Sequence, residues 1–209
     1  MICQRIQRSE NEYSCAVGQQ GHGHRIIHLC AKLYNTKLLT KAIDFEPIVR
    51  FMGDDLSVTM RCLPETEKLV IIPDHIYNYR LGGNTSRFMP YMLEDFISLY
   101  REKQILMKKY PMPQNAQFYI DVELMNVVVS WLKMCYKHGN YKKEKFQEEC
   151  KRVSKLDAVK EAATNLLEKK NIVAKMVYKE DIEKLEKYIL NDIRKTRKRD
   201  FIVGILKRI

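Results

Sequence analysis

The sequence predicts an α/β region over residues 1–90, followed by an all-helical region over residues 91–209. Two short runs bounded by turn residues favour strands, namely the apolar run 69–72 and the aromatic run 76–80, which precedes the turn at 82–84. Beyond these runs the apolar residues recur every three or four positions, as in amphipathic helices. The chain is therefore expected to be mostly helical overall.

Length and composition indicate a folded chain with anionic partners. The 209 residues suffice for one domain with a substantial core, and 45% hydrophobic with 30% charged residues excludes a disordered chain. The net charge of +11 favours nucleic acid, nucleotide diphosphates or an anionic membrane surface as partners.

The cysteines and the hydropathy indicate the compartment. Six scattered cysteines form no C-x-x-C pair, so we interpret them as reduced thiols in a cytosolic protein. No run of about 18 apolar residues is present, and the first residues lack the apolar segment of a signal peptide. We therefore expect a chain that is neither secreted by a signal peptide nor membrane-spanning.

The N-terminal residues offer one histidine cluster and one helix. His22, His24 and His28 have H-x-H-x3-H spacing, which can supply metal ligands. Because glycines flank His22 and no cysteine or carboxylate completes a site, we interpret the cluster as an exposed turn and a packing residue. Helical spacing then predicts a helix over 26–39, marked by Ile27, Cys30, Leu33 and Tyr34.

An acidic pair stands at a predicted helix start. Gly53 permits a sharp turn, and Asp54 and Asp55 follow it. The helix is indicated by apolar residues at helical spacing that run up to a proline: Leu56, Met60, Leu63 and Pro64. Aspartates in this position cap helices far more often than they catalyse reactions, so the pair alone favours capping.

Four segments between residues 30 and 86 follow an order known from one family. They are Cys30-Ala31-Lys32-Leu33-Tyr34-Asn35, Phe45, Gly53-Asp54-Asp55-Leu56, and Ile76-Tyr77-Asn78-Tyr79-Arg80 with Thr85-Ser86 beyond it. Together they resemble the asparagine-lysine-leucine-tyrosine, I-x-F, glycine-glutamate-aspartate-leucine and Y-x-Y-R segments of family 2 glycosyltransferases of the GT-A kind. The resemblance covers the acceptor-side half of the catalytic domain and implies a partial GT-A-like mixed sheet over residues 1–90.

The resemblance also implies a reaction. It is transfer of a sugar from a nucleotide-sugar donor to a glycan or lipid-linked acceptor, by inverting displacement, in cell-surface polysaccharide synthesis. A sugar hydroxyl is a poor nucleophile near neutral pH, so a carboxylate must accept its proton as it attacks the anomeric carbon. The resemblance implies that Asp55 is this base and that Asp54, which replaces the family's usual glutamate, helps to bind substrate.

Two cations complete the implied site. Arg80 would contact the donor diphosphate, since a guanidinium matches phosphate oxygens, and Lys32 would border the cleft. Plainer interpretations stay open for both, an arginine at a strand end and a solvated lysine.

The family's donor half has no counterpart here. Family members bind the nucleotide-sugar with an N-terminal half, whose Asp-x-Asp motif holds a divalent cation, Mn or Mg. This sequence contains no Asp-x-Asp, so the cation's ligands are not expected in this chain. The alternatives are a fragment, one piece of a split gene whose partner chain supplies the nucleotide-binding half, or a decayed remnant.

Four helices are expected beyond residue 90. The first is amphipathic and ends at Pro111, and the second, over 117–137, is apolar on nearly every side and should be buried. The third follows capping-box spacing that starts at Ser154. The fourth begins near Ile182 as a docking helix or a short coiled coil.

The end of the chain, 194–209, is a mixture of basic and apolar residues. Such a segment can lie at the surface of an anionic bilayer, which predicts a peripheral contact at the cytoplasmic leaflet, although a solvated basic tail stays open. A different class of function also stays open: a non-catalytic basic helical module that binds nucleic acid or protein, or an inactive glycosyltransferase remnant. The basic residues are spread along several helices and carry no zinc-finger or RNP signature, so no nucleic-acid partner is expected.

Overall fold

The described part of the chain is helical. A computed structural model describes residues 29, 32–43, 49–50, 53–68, 70, 88–138 and 143–206, and the side chains of these residues except 42–43 and 198–206. Within these ranges there is no strand, so the predicted α/β class with a GT-A-like mixed sheet is wrong for this part of the chain. The predicted strands 69–72 and 76–80 lie outside the described residues, apart from Val70, which is in no regular structure. A four-residue apolar run does not by its periodicity specify a strand, which is why this prediction was weakly founded.

The chain divides into two compact units, Met1–Glu123 and Leu124–Ile209. The predicted boundary at residue 90 stays a prediction. In the N-terminal unit the helices are α1 (Thr36–Ile43), α2 (Asp54–Glu65) and α3 (Met92–Lys109). Helix α4 (Ala116–His138) begins in this unit and ends in the next. The C-terminal unit continues with α5 (Lys143–Ser154), α6 (Asp157–Asn165), a 3₁₀ turn (Leu167–Lys169), α7 (Ile172–Tyr178) and α8 (Ile182–Leu206).

Two helix starts differ from the predicted ones, and a local side-chain hydrogen bond is found near each observed start. Residues 32–35 are not helical, and Leu33 is 102% exposed, so the helix predicted over 26–39 is wrong there. Asn35 accepts the Lys37 backbone N–H at 3.0 Å through its side chain, and α1 begins directly after it. Ser154 is not a cap either, because it lies in α5 and its hydroxyl donates to the Cys150 carbonyl at 2.9 Å.

The core of the N-terminal unit joins α2 to α3. One cluster of its buried residues is Leu56, Met60, Leu99 and Leu106, with Val49, Leu63, Phe96, Tyr110 and Met112 packed around them. The predicted helices here are confirmed, and Pro64 lies in the last turn of α2. The buried face of α3 also includes Asp95 and Lys103, which apolar periodicity does not reveal. Lys103 pairs with Glu123, which explains its burial.

The core of the C-terminal unit draws on all of its helices. Trp131 is buried, as predicted, and α8 buries Leu185, Ile189 and Ile193 against its neighbours α5 and α7. The last helix is therefore a docking helix and not a separate coiled coil. Helices α5 and α7 were not predicted, because α5 is strongly charged and α7 is very short. Three described cysteines are buried and in no disulfide: Cys62 in the N-terminal unit, and Cys135 and Cys150 in this one.

The described helices were also compared with the dimensions of a bilayer. Over the described residues, no helix has both the length and the apolar character needed to cross a membrane.

Candidate functional site

The structure locates three of the four predicted site residues. Asp54 and Asp55 occupy the first turn of α2, where Asp54 is exposed and Asp55 is half-buried. Lys32 is half-buried in the segment before α1. Arg80 lies outside the described residues. The two aspartates are thus adjacent at a helix start.

Gly53 determines how the aspartates enter α2. Its φ of 93° is in the left-handed region, and its carbonyl accepts the Ser57 N–H at 2.7 Å, closing the first turn. A Cβ at this position would lie 2.4 Å from Leu99 Cδ1. The left-handed backbone therefore favours glycine, and a Cβ would also have to displace the end of the Leu99 side chain.

Arg50, three residues before Gly53, is held by the start of α3. The Arg50 backbone N–H donates to Asp95 Oδ1 at 2.8 Å, and Asp95 is only 2% exposed. The Arg50 guanidinium lies 4.8 Å from the centroid of the Tyr91 ring, within cation–π range. These contacts fix Arg50 on the start of α3, and Leu99 of the same helix packs on Gly53. Sequence reasoning missed Asp95, and its position between Leu93 and Phe96 on the apolar side of the helix was the only signal.

A second polar contact fixes α2 along its length. Arg61 Nε donates to Glu102 Oε1 on α3 at 2.6 Å, and its Nη1 donates to Ser57 Oγ at 3.3 Å. Both charged side chains are mostly buried, so this charge-assisted bond is less screened by solvent than a surface pair. The register of α2 on α3 is thus set by one ion pair and the apolar core.

A cleft of about 460 Å³ opens beside the C-terminal end of α2. Its polar groups are connected, since the Tyr110 hydroxyl donates to Glu65 and Lys109 Nζ lies 3.8 Å from Glu65 Oε1. Lys109 also sits 4.8 Å from the Tyr110 ring centroid. The cleft is lined by Leu38, Lys41, Arg61, Glu65, Glu102, Ile105, Leu106, Lys109 and Tyr110.

These contacts shift three pKa values. The hydrogen bond from Tyr110, with the charges of Lys109 and Lys41, lowers the pKa of the Glu65 carboxyl. Burial and the bond to Glu65 raise the pKa of the Tyr110 hydroxyl. The pKa of Lys109 is raised by its contacts with Tyr110 and Glu65. Glu65 therefore stays ionised, with the positive charges of Lys109 and Lys41 near its carboxylate.

The described residues do not fit the divalent cation that the resemblance implies. Among them, no group of three histidine, cysteine, aspartate or glutamate side chains is arranged to hold a metal ion. The His22 to His28 cluster lies outside the described residues. What the described site offers chemically is a carboxylate at a fixed helix start, which can accept a proton from a bound hydroxyl.

Comparison with known proteins found no similar protein. No protein-family model, no curated protein and no solved structure matches this chain. The functional argument therefore stands on the residues described above.

Proposed function

We propose that the chain takes part in glycosyl transfer from a nucleotide-sugar to a glycan or lipid-linked acceptor in cell-surface polysaccharide synthesis. The observation that carries the proposal is the way Gly53 delivers Asp54 and Asp55 into the first turn of α2. The same segment supplies the Gly-Asp-Asp-Leu match to family 2 glycosyltransferases. A glycine in the left-handed region, directly before a carboxylate pair, supports a built site over a chance cap.

In the proposed reaction Asp55 is the general base. It accepts the proton of the acceptor hydroxyl while the hydroxyl oxygen attacks the anomeric carbon. The bond from that carbon to the donor diphosphate breaks, its electron pair leaves with the nucleoside diphosphate, and the anomeric configuration inverts. Asp54 helps to hold the acceptor, while Lys32 and Arg80 face the anionic groups of the donor.

The donor diphosphate and the cation need residues beyond those described. The sequence has no Asp-x-Asp motif, so we propose that the Mn or Mg ligands and the rest of the donor site come from residues beyond those described or from a partner chain.

The test is nucleotide-sugar turnover with a panel of UDP- and GDP-sugars and manganese or magnesium, for the parent chain and Asp55→Asn. We expect transfer to fall about 100- to 10,000-fold in the variant, the range that general-base catalysis contributes. The control is Asp157→Asn, since Asp157 also lies in the first turn of a helix, α6, and its loss removes the same interaction with the helix dipole. Equal turnover by parent and Asp55→Asn would contradict the role of Asp55. A folded chain with no turnover and no nucleotide binding would contradict activity of this chain alone.

We also propose that the chain acts in the cytoplasm, at the inner face of the cell membrane. The basic and apolar segment 194–209 supports a peripheral contact, and exposed cations begin it at Arg194, Lys195 and Arg197. Sedimentation with anionic vesicles, compared with neutral ones, tests this. Each of these cations replaced by glutamine should weaken vesicle binding about fivefold at low salt, since each contributes about 1 kcal/mol near such a surface. Equal binding to neutral vesicles would contradict the proposal.

One observation favours a second function. All described regular structure is helical and the chain carries a net charge of +11, which also suits a non-catalytic basic binding module or an inactive remnant. Binding to duplex DNA or RNA that falls steeply with salt concentration would favour this alternative. Transfer activity that depends on Asp55 would exclude it.

A further inference from the structure

We propose that the cleft beside the C-terminal end of α2 binds a small amphipathic anion. Its phosphate or carboxylate group would lie at Lys41 and Lys109, and its apolar part against the aliphatic wall formed by Leu38, Ile105 and Leu106. This site is separate from the proposed transfer chemistry, because Glu65 follows Asp55 by nearly three turns, about 15 Å of helix.

The shape of the cleft suits a small ligand. Its volume of about 460 Å³ falls within the usual range of small-molecule sites, about 300–1,000 Å³. Ile105 lies on the wall of the cleft, and 58% of its surface is exposed to solvent. Exposed aliphatic surface next to convergent polar groups is the typical lining of a ligand site.

The charges of the lining leave a positive surplus. Arg61 and Glu102 neutralise each other at 2.6 Å within the cleft wall. That leaves Lys41 and Lys109 against Glu65 alone. Glu65 already has the Tyr110 hydroxyl as a hydrogen-bond donor, and Lys109 is 3.8 Å away from it. A ligand anion would balance the remaining positive charge, whereas a cation would increase it.

Glu65 reports the potential inside the cleft. The Tyr110 hydrogen bond and then the charges of Lys109 and Lys41 hold the pKa of its carboxyl below the ordinary value, so a negative charge at this place is favoured. A second anion at the lysines would experience the same attraction, reduced by repulsion from Glu65 itself. Removing a lysine charge should therefore weaken anion binding, whereas removing the Glu65 charge should strengthen it.

The first test uses the full chain and three probes in titration calorimetry. Octyl phosphate, below its micellar concentration, carries both parts of the proposed ligand. Octyl glucoside keeps the apolar chain without the charge, and inorganic phosphate keeps the charge without the chain. We expect octyl phosphate to bind most tightly of the three. Octyl glucoside binding as tightly would overturn the proposal.

The second test uses variants with a neighbouring control. Lys109→Gln should weaken octyl phosphate binding about tenfold, as for loss of one charge-assisted contact, whereas Lys108→Gln, the adjacent exposed lysine that does not line the cleft, should leave it unchanged. Glu65→Gln should tighten binding, since it removes the competing negative charge. Equal weakening by both lysine variants, or weaker binding by Glu65→Gln, would overturn the proposal.

A lipid headgroup and a free phosphate ester share this chemistry. Binding to phosphatidic-acid vesicles that Lys109→Gln weakens and Lys108→Gln does not would identify a lipid. Vesicle binding that is equal in both variants, with octyl phosphate still dependent on Lys109, would identify a free ester.

Discussion

The two compact units use their carboxylates differently. In the C-terminal unit Glu149 is 8% exposed, and it accepts the Trp131 indole N–H at 2.6 Å and two bonds from Arg152 at 2.9 and 2.7 Å. In the N-terminal unit Asp54 is exposed at a helix start, and Glu65 lines an open cleft. Asp54 and Glu65 thus reach solvent, whereas Glu149 stabilises its own unit. The two proposed sites lie at these solvent-exposed carboxylates of the N-terminal unit.

The described cores of the two units differ in the side chains that they bury. In the C-terminal unit α5, α6 and α8 bury Phe146, Val159, Leu185 and Ile189 fully, together with Leu166, which follows α6. In the N-terminal unit a buried cluster joins α2 to α3, and Gly53 closely approaches Leu99, a member of that cluster. Substitutions can compare the two kinds of contact.

The largest loss of stability is expected from Phe146→Ala in the C-terminal unit. The ring is fully buried and packs edge-on against Tyr136 with ring centroids 5.4 Å apart. Its removal should cost about 3–5 kcal/mol of unfolding free energy. Trp131 is the only tryptophan in the sequence, so its fluorescence during urea unfolding reports this unit. Tyr178→Ala, at an exposed side chain, is the control, and a comparable loss there would contradict the assignment of the core.

The next largest loss is expected from Gly53→Ala in the N-terminal unit. The left-handed φ and the clash with Leu99 together should cost about 2–4 kcal/mol. Hydrogen exchange of the α2 amides measures this loss, because Trp131 lies in the other unit. Combining the variant with Leu99→Ala should cost less than the two changes separately, since the clash is then absent. Strictly additive losses would show that the contact with Leu99 contributes nothing to the cost of Gly53→Ala.

A smaller, local effect is expected from Asp95→Ala. It leaves the Arg50 N–H without its buried acceptor, at a cost of about 1–3 kcal/mol. Hydrogen exchange at the Arg50 amide should accelerate accordingly, while Asp95→Asn keeps an acceptor oxygen and should change it less. Glu102→Ala, which breaks the Arg61 pair on the same helix, should not accelerate the Arg50 amide. If Glu102→Ala accelerates exchange at the Arg50 amide as much as Asp95→Ala does, Arg50 is held by α3 as a whole and not by Asp95.

Sequence patterns predicted the helices that have strong apolar periodicity. α2, α3, α4, α6 and α8 were found in this way, because their buried residues recur at helical spacing. α5 was missed since charged residues dominate it, and its buried Phe146, Cys150 and Val153 are diluted among them. The start of α1 depends on the local hydrogen bond of Asn35, which competes with helical periodicity.

The candidate site was predictable only where it follows a local rule. Gly53 and the acidic pair mark a turn and a helix start, and the structure places them so. Asp95 and Tyr91 lie about forty residues away in sequence, so their contacts with Arg50 depend on tertiary packing that no local pattern encodes. The cleft likewise combines residues from α1, α2 and α3.

The smallest effect is expected from Tyr110→Phe, and it concerns pH. The Tyr110 hydrogen bond is the main cause of the lowered pKa of Glu65, so its loss should raise that pKa toward the ordinary value. A lowered folded-state pKa gives stability that is present above the unfolded value, 4.5, and is lost as the pH falls through the folded value. Tyr110→Phe should therefore lose less stability on acidification than the parent does.

Carbon-13 titration of the Glu65 carboxyl measures the pKa directly, and urea unfolding above and below pH 4.5 measures its consequence. Tyr91→Phe is the control, since it keeps the ring under Arg50 and does not line the cleft. The stability difference should be small, because the Glu65 side chain is 41% exposed and solvent screens its contacts. An unchanged Glu65 pKa in Tyr110→Phe would mean that the lysines alone set the potential of the cleft, and the expected tightening of anion binding in Glu65→Gln would then be larger.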